Sequence, residues 1–281
     1  MKEYLKFRKS FTLIELLVVI AIIGLLSSVI LVNLSGPRQR AKITKSLEFS
    51  QSVQHAIGSE AVGVWNFDDC SAKDLSGYGN NGTINGATCV DDTPYKVVGS
   101  GQGKNALSFD GGDDYVDAGN GASLQIGTGN FSVSFWVNTT QTGINRDIIA
   151  KQLQIPPYVG WLIRLNSAAN TGKISFRYSV VGTLNQEIRS NTIINDGKWH
   201  HVLCKFDTNT TYIYIDGKFE NSGIVTTGSL DSAYSLKFGY GLDYFNGLID
   251  EVRIYATALT IGEIQDLYLA GLEKYQQLTI K

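Results

Sequence analysis

The 281-residue chain carries 24 Lys/Arg against 26 Asp/Glu and is 43% apolar, with 30 glycines and four prolines. That is enough apolar side chain for a sizeable core. The small net charge of −2 hides a polarity: residues 46–281 hold 16 basic and 24 acidic residues, which excludes the basic footprint of a nucleic-acid binder.

Residues 1–10 hold four Lys/Arg and Glu3, and form a short basic leader. Residues 11–34, FTLIELLVVIAIIGLLSSVILVNL, then run apolar with one charge, Glu15. A helix of that length reaches about 36 Å, enough to cross a ~30 Å hydrocarbon core. A carboxylate inside such a run is costly, so a functional partner for Glu15 is expected. A cleaved secretory signal would have a shorter apolar core ending in small residues. Ser35, Gly36 and Pro37 mark a kink at the membrane surface. Residues 35–60 then return to helical spacing, with Ile43, Leu47, Val53 and Ile57 on one side, and predict an amphipathic stalk.

The basic leader followed by Phe11, Thr12, Leu13, Ile14 and Glu15, with Gly24 further on, resembles the N-terminus of type IV pilins and type II secretion pseudopilins. The resemblance implies cleavage by a prepilin peptidase between Ser10 and Phe11, then N-methylation. It also implies that Glu15 meets the N-terminal amine of a neighbouring pilin-like subunit inside a filament. Two positions depart from the pattern: Ser10 stands where glycine is usual, and Val32 where a proline is common. Basic residues flank the apolar run on both sides, so charge alone does not orient it. The resemblance puts the N-terminus in the cytoplasm and the bulk of the chain outside or in the periplasm, alone or in a surface filament.

At Gly63 the period changes to two. Trp65 and Phe67 share a face, and short alternating runs then recur between Gly/Asn/Asp turns. They lie at 106–110, 115–117, 131–139, 147–151, 160–166, 173–180, 199–207, 211–216, 235–238 and 247–255. Ten to twelve strands with no long helix between them predict an all-β sandwich or jelly roll over residues 61–272, closed by a helix at 261–270 and a tail at 273–281. Asp216-Gly217 after a Tyr-Ile-Tyr-Ile run is a hairpin signal. Trp65, Trp136 and Trp199 are the expected core anchors. Cys204, in phase with Val202 and Phe206, reads as a buried thiol. Cys70 and Cys89 lie in a turn-rich stretch, and the sequence leaves a disulfide and two free thiols equally open.

The ordered pieces WNFD (65–68), DLSGYGNNG (74–82), ALSFDG (106–111), FSVSFWV (131–137), WHHV (199–202), YIDGK (214–218) and NGLIDEVRIY (246–255) resemble the laminin G-like, concanavalin A-like domains of bacterial surface proteins. In that family a structural calcium often joins the first loop to the last strand. The resemblance therefore implies Asp69 and Asp74 as ligands beside Asp250. Simple alternation puts Asp250 on the face of Val252 and Ile254, where a carboxylate needs a metal, an arginine or backbone amides.

No paired-carboxylate run, Ser-His-Asp set or phosphate-binding loop appears, and His200 and His201 are neighbours that point to opposite faces. The expectation is a non-catalytic, membrane-anchored head that binds a glycan or a surface protein, as a minor pilin or adhesin. The alternative is a structural pilin or pseudopilin subunit with no ligand of its own. Specificity would lie in loops such as 141–146, 152–158 and 221–232.

Overall fold

The computed structural model describes residues 60–91, 105–143, 145–152, 158–165, 171–180 and 186–276, with Leu17, Gly58 and Pro156. Ser10, Phe11, Glu15 and, apart from these isolated residues and Glu60, the expected membrane and stalk segments lie outside them. Among the described residues no helix is long and apolar enough to cross a membrane.

Among the described residues the head has fifteen strands: β1 Ala61–Trp65, β2 Thr83–Asn85, β3 Thr88–Val90, β4 Ala106–Asp110, β5 Tyr115–Asp117, β6 Phe131–Asn138, β7 Arg146–Gln152, β8 Gly160–Leu165, β9 Lys173–Ser179, β10 Gln186–Ile193, β11 Trp199–Asp207, β12 Thr210–Ile215, β13 Lys218–Ile224, β14 Lys237–Phe238 and β15 Asn246–Tyr255. One helix, α1 Ile261–Gln276, follows. The first sheet runs β13-β12-β11-β6-β15-β4-β3, with β1 also paired to β15. The second runs β10-β9-β8-β7-β14-β5-β2. Neighbours in both are antiparallel, which is the expected jelly-roll sandwich.

The core lies between the sheets. Phe131, Val133, Phe135 and Val137 of β6 and Val202, Cys204 and Phe206 of β11 face Trp161, Ile163 and Leu165 of β8 and Ile174, Phe176 and Tyr178 of β9. Phe131 is the hub of an aromatic seam, with ring centroids 5.4 Å from Trp161 and 6.1 Å from both Phe176 and Phe206. Trp65 is fully buried against Phe238 at 5.0 Å. Trp161, unnoticed in the sequence, is a core anchor, whereas Trp199 is only half buried at a strand start.

The first sheet is covered on its outer face too. Ala61, Leu203, Tyr214 and Tyr255 pack there with Leu259 and with Ile264 and Leu267 of α1. The helix begins with a capping box: Thr260 Oγ1 accepts the Glu263 amide, and Glu263 Oε2 accepts the Thr260 amide at 2.7 Å. Polar side chains on this covered face are paired internally. Lys205 Nζ donates to the Leu259 carbonyl at 2.9 Å, and Ser134 Oγ lies 2.8 Å from His201 Nε2. Burial lowers the His201 pKa to about 4, so the imidazole is neutral.

Asp250 does not share the face of Val252 and Ile254. Glu251 adopts φ 51° and the β15–β6 register shifts between Asp250 and Arg253, which marks a bulge. Ile249, Val252 and Ile254 all enter the core, while Asp250 lies opposite Trp136 on the outer face. Its Oδ1 accepts the Glu251 amide at 2.8 Å.

The loop after β1 is organised by Asp74. Its Oδ1 accepts the amides of Val64 and Ser76, and its Oδ2 accepts the Ser76 hydroxyl and the Asn80 amide, all at 2.8–3.0 Å. Asn80 in turn donates to the Val62 carbonyl. The Cys70–Cys89 disulfide is formed and ties the exit of β1 to β3. Cys204 is a buried free thiol.

At the other end, Asp216 in the β12–β13 turn clamps β11. Its Oδ1 accepts the His201 amide, and its Oδ2 lies 2.9 Å from His200 Nδ1. Asp196 Oδ1 lies 3.1 Å from the other ring nitrogen, Nε2. Burial pulls the His200 pKa down, but the two carboxylates outweigh it and the net shift is upward.

Two outcomes follow from this packing. Reducing the Cys70–Cys89 bridge frees a loop of about 20 residues and should cost about 3 kcal/mol, read by denaturant titration with and without reductant. Because the folded pKa of His200 is raised, its contribution is full below the unfolded value near 6.5 and is lost as pH rises through the folded pKa. The Tm deficit of His200→Gln relative to wild type should therefore be largest at about pH 6 and shrink in alkali. A deficit independent of pH would show that the ring contributes only shape.

Candidate functional site

The outer face of the second sheet carries the site. On β14, Phe238 enters the core and Lys237 points the other way. Lys237 stands directly across from Asp117 of β5 and Ala150 of β7. Tyr115, two residues before Asp117, shares this face, as do its cross-strand partner Asn85 and, opposite Asp117, Thr83.

Three further tyrosines come from the segments flanking β14. Lys237 Nζ lies 4.8 Å from the ring centre of Tyr115, 5.4 Å from Tyr234 and 5.3 Å from Tyr240, and 4.0 Å from Asp117 Oδ2. Tyr240 stacks on Tyr244 at 4.4 Å and lies 5.9 Å from Tyr115. The result is a half-exposed platform of four tyrosines, three of which enclose one ammonium, a geometry in which the ring quadrupoles stabilise the cation. Burial and neighbouring phenols and carboxylates push Tyr234 up to about 12, and Tyr244 is raised for the same reasons. The hydroxyls of Tyr234 and Tyr244 are therefore protonated at neutral pH.

The platform depends on a tight loop between β14 and β15. Tyr240 and Tyr244 form an isolated bridge, and the Phe245 amide donates to the Gly239 carbonyl at 2.9 Å. Asp147 pins the loop from beneath: its Oδ2 accepts the Leu242 amide at 2.6 Å while its Oδ1 accepts Arg164 Nε at 2.7 Å. Asp147 and Arg164 are both fully buried. Gly241 is needed here because a Cβ would stand 2.5 Å from Asp147 Oδ2 and 3.0 Å from the Ala150 methyl. From the rim, Gln141 Nε2 donates to the Tyr244 carbonyl and its Oε1 accepts the Asn246 amide.

Beside the platform, the β4–β5 turn brings carboxylate oxygens of Asp110, Asp113 and Asp114 within 4.8 Å of one another. Asp114 is buried and accepts the Asp110 amide at 2.8 Å. Burial, with repulsion from Asp110 and Asp113, raises its pKa.

The expected calcium set is not assembled. Both oxygens of Asp74 are engaged by the four donors described above, Asp69 is exposed and accepts the Ser71 amide and hydroxyl, and Asp250 lies on the outer face beyond the bulge. These three residues do not fit one cation. Nor do His200 and His201 converge: the first faces Asp196 and Asp216, the second Ser134. His201 borders a cavity of about 10 Å³ beneath α1, lined by Ser134, Trp136, Glu251 and Arg253. It has room for a single water.

Of the three loops expected to set specificity, 141–146 contributes Gln141 to the platform's rim. Within 221–232, residues 221–224 complete β13. The tyrosine platform was missed. Its one sequence signal is the density of tyrosine in YSLKFGYGLDY (234–244), which reads as strand and turn until the loop is folded back.

The loop's dependence on Asp147 gives a direct test. Asp147→Ala leaves Arg164 without its carboxylate and the Leu242 amide without its acceptor, and should cost about 3–5 kcal/mol in unfolding free energy. A loss below about 1 kcal/mol would mean that the loop is held by its own bridge.

Comparison with known proteins agrees with this architecture. The prokaryotic N-terminal methylation motif matches residues 5–31, and the pilin-like N-terminus is thereby shown. In fold, the chain is similar to the binding domain of Paraclostridial Mosquitocidal Protein 1, at a TM-score of 0.62 and 18% identity, over 75% of this chain and 52% of that one. It is also similar to domain 4 of AbnA, an extracellular arabinanase from Geobacillus stearothermophilus, solved with arabinotriose: TM-score 0.59, 23% identity, 74% of this chain and 98% of that one. A third similar structure is the botulinum neurotoxin serotype D ligand-binding domain with N-acetylneuraminic acid, at 0.56 and 20% identity, over 77% and 52%. The chain thus spans about half the length of the two toxin chains, and at these identities the likeness is one of fold. The sequence pattern described as concanavalin A-like lectin/glucanases superfamily matches residues 110–265, more than half of the chain, and the protein belongs to that superfamily.

Proposed function

We propose that the protein is a membrane-anchored, pilin-like surface protein whose sandwich head binds a glycan, as a minor pilin or adhesin does. The observation that carries this reading is the platform of Tyr115, Tyr234, Tyr240 and Tyr244 around Lys237. Half-exposed rings on a rigid sheet offer apolar faces to sugar C–H surfaces, and the phenol hydroxyls, Asn85 and Thr83 offer hydrogen bonds to sugar hydroxyls. Two similar structures were solved with a sugar bound, which supports a carbohydrate over a protein ligand. No catalytic step is assigned to the head.

The methylation motif supports the anchor. In this reading a prepilin peptidase cuts between Ser10 and Phe11, residues 11–34 hold the membrane from a cytoplasmic N-terminus, and Glu15 meets the N-terminus of another pilin-like subunit. The same motif favours a second reading, in which the head only decorates a filament.

Binding of the detergent-solubilised full chain to a glycan array separates the two. Wild type should give a carbohydrate signal that the Tyr240→Ala, Tyr244→Ala double variant weakens about tenfold or more, as expected for buried aromatic anchors. No glycan signal, together with recovery of the protein in sheared filaments that Glu15→Ala abolishes, would favour the structural reading.

A further inference from the structure

The charge around the platform says which glycans it takes. The enclosed cation does not offer a free positive charge. Lys237 Nζ is surrounded by three tyrosine rings and lies 4.0 Å from Asp117 Oδ2, directly across the strand pair. Two further cations are buried and engaged: Lys151 Nζ donates to the Tyr234 carbonyl at 3.2 Å and to the Ser232 carbonyl at 3.3 Å, and Arg164 lies beneath the loop on Asp147. Neither guanidinium nor ammonium is presented as an open fork to an incoming carboxylate.

Negative charge, by contrast, borders the rings. Asp110 stands across from Asn246, two residues past Tyr244, and Asp113 precedes Tyr115 by two; Asp113 is among the groups raising Tyr244. Asp110 and Asp113 are exposed on the turn that leads into Tyr115, with a third carboxyl, Asp114, buried behind them. An acidic sugar stacked on Tyr240 and Tyr244 would bring its carboxylate or sulfate toward this acidic rim. A neutral sugar pays no such cost and can donate its hydroxyls to the same carboxylates.

We propose, resting on the glycan-binding reading above, that the tyrosine platform selects uncharged glycans and that the Asp110–Asp113 turn repels sialylated, uronate-bearing or sulfated ones. Selectivity here is a like-charge penalty against the wrong ligand, not an added contact to the right one.

The test uses the full chain in detergent micelles and a glycan array of matched pairs, each a neutral oligosaccharide and the same core carrying sialic acid, a uronate or a sulfate. The neutral member of the best-bound pair should bind about fivefold or more tighter at low ionic strength, the size of one unit-charge repulsion across a wet protein surface. The ratio should shrink in high salt, since the charges are exposed. Asp113→Asn with Asp110→Asn should narrow it chiefly by strengthening the acidic member. Asp113→Asn alone, which leaves the turn's other acids in place, serves as the milder variant should the double variant fold poorly.

Equal or tighter binding of the acidic member overturns the selectivity while leaving glycan binding intact. Neutral binding unaffected by the Tyr240→Ala, Tyr244→Ala variant overturns the placement at this platform. No binding to either member of any pair overturns the glycan reading itself, and this inference with it.

Discussion

The centre of the larger sheet, β6, β11 and β15, is buried on both faces, and that constraint governs the head. Its inner face meets the aromatic seam around Phe131, and its outer face is covered by the segment after β15 and by α1. With both faces covered, each polar side chain in β6, β11 and β15 must be matched by a partner close by. Ser132 accepts the Leu259 amide and donates to the Thr257 carbonyl, Lys205 reaches Leu259, and Ser134 meets His201. The same constraint keeps His201 neutral and places Asp250, through the Glu251 bulge, where its own chain supplies an amide.

The smaller sheet has a different arrangement. Its inner face completes the core, while around β14 and β5 its outer face remains half open. A rigid β surface beneath an aromatic cluster is a sound basis for recognition, because the rings lose little freedom on binding. The loop that supplies Tyr240 and Tyr244 would be floppy if held by backbone alone. The Asp147–Arg164 pair fixes it from below, at positions where a buried charge pair costs desolvation and serves to define one conformation.

Much of the fold was legible in the sequence because strands alternating apolar and polar leave a period-two trace. The strands at 106–110, 115–117 and 199–207 lie as expected, and β6, β7, β8, β9 and β15 within a residue at either end. The strands not foreseen are β2, β3 and β10, and β13 is implied only by the hairpin signal at Asp216-Gly217. Residues 186–193 and 218–224 are largely polar and exposed, and they lie at the edges of the two sheets. An edge strand forms because a neighbour offers hydrogen bonds, and that leaves no pattern in its own side chains.

The sequence by itself determined the pilin-like N-terminus, the sandwich class and the buried state of Cys204, since each rests on local periodicity or an ordered run of residue types. Tertiary structure alone decided three things. It joined Cys70 to Cys89 by bringing β3 beside the exit of β1. It turned Asp250 to the outer face, because a single positive φ at Glu251 resets the alternation that a linear reading extends unbroken. And it gathered Tyr115 with Tyr234, Tyr240 and Tyr244 around Lys237, residues more than a hundred positions apart, because antiparallel pairing places β5 beside β14 and no local pattern records which strands become neighbours.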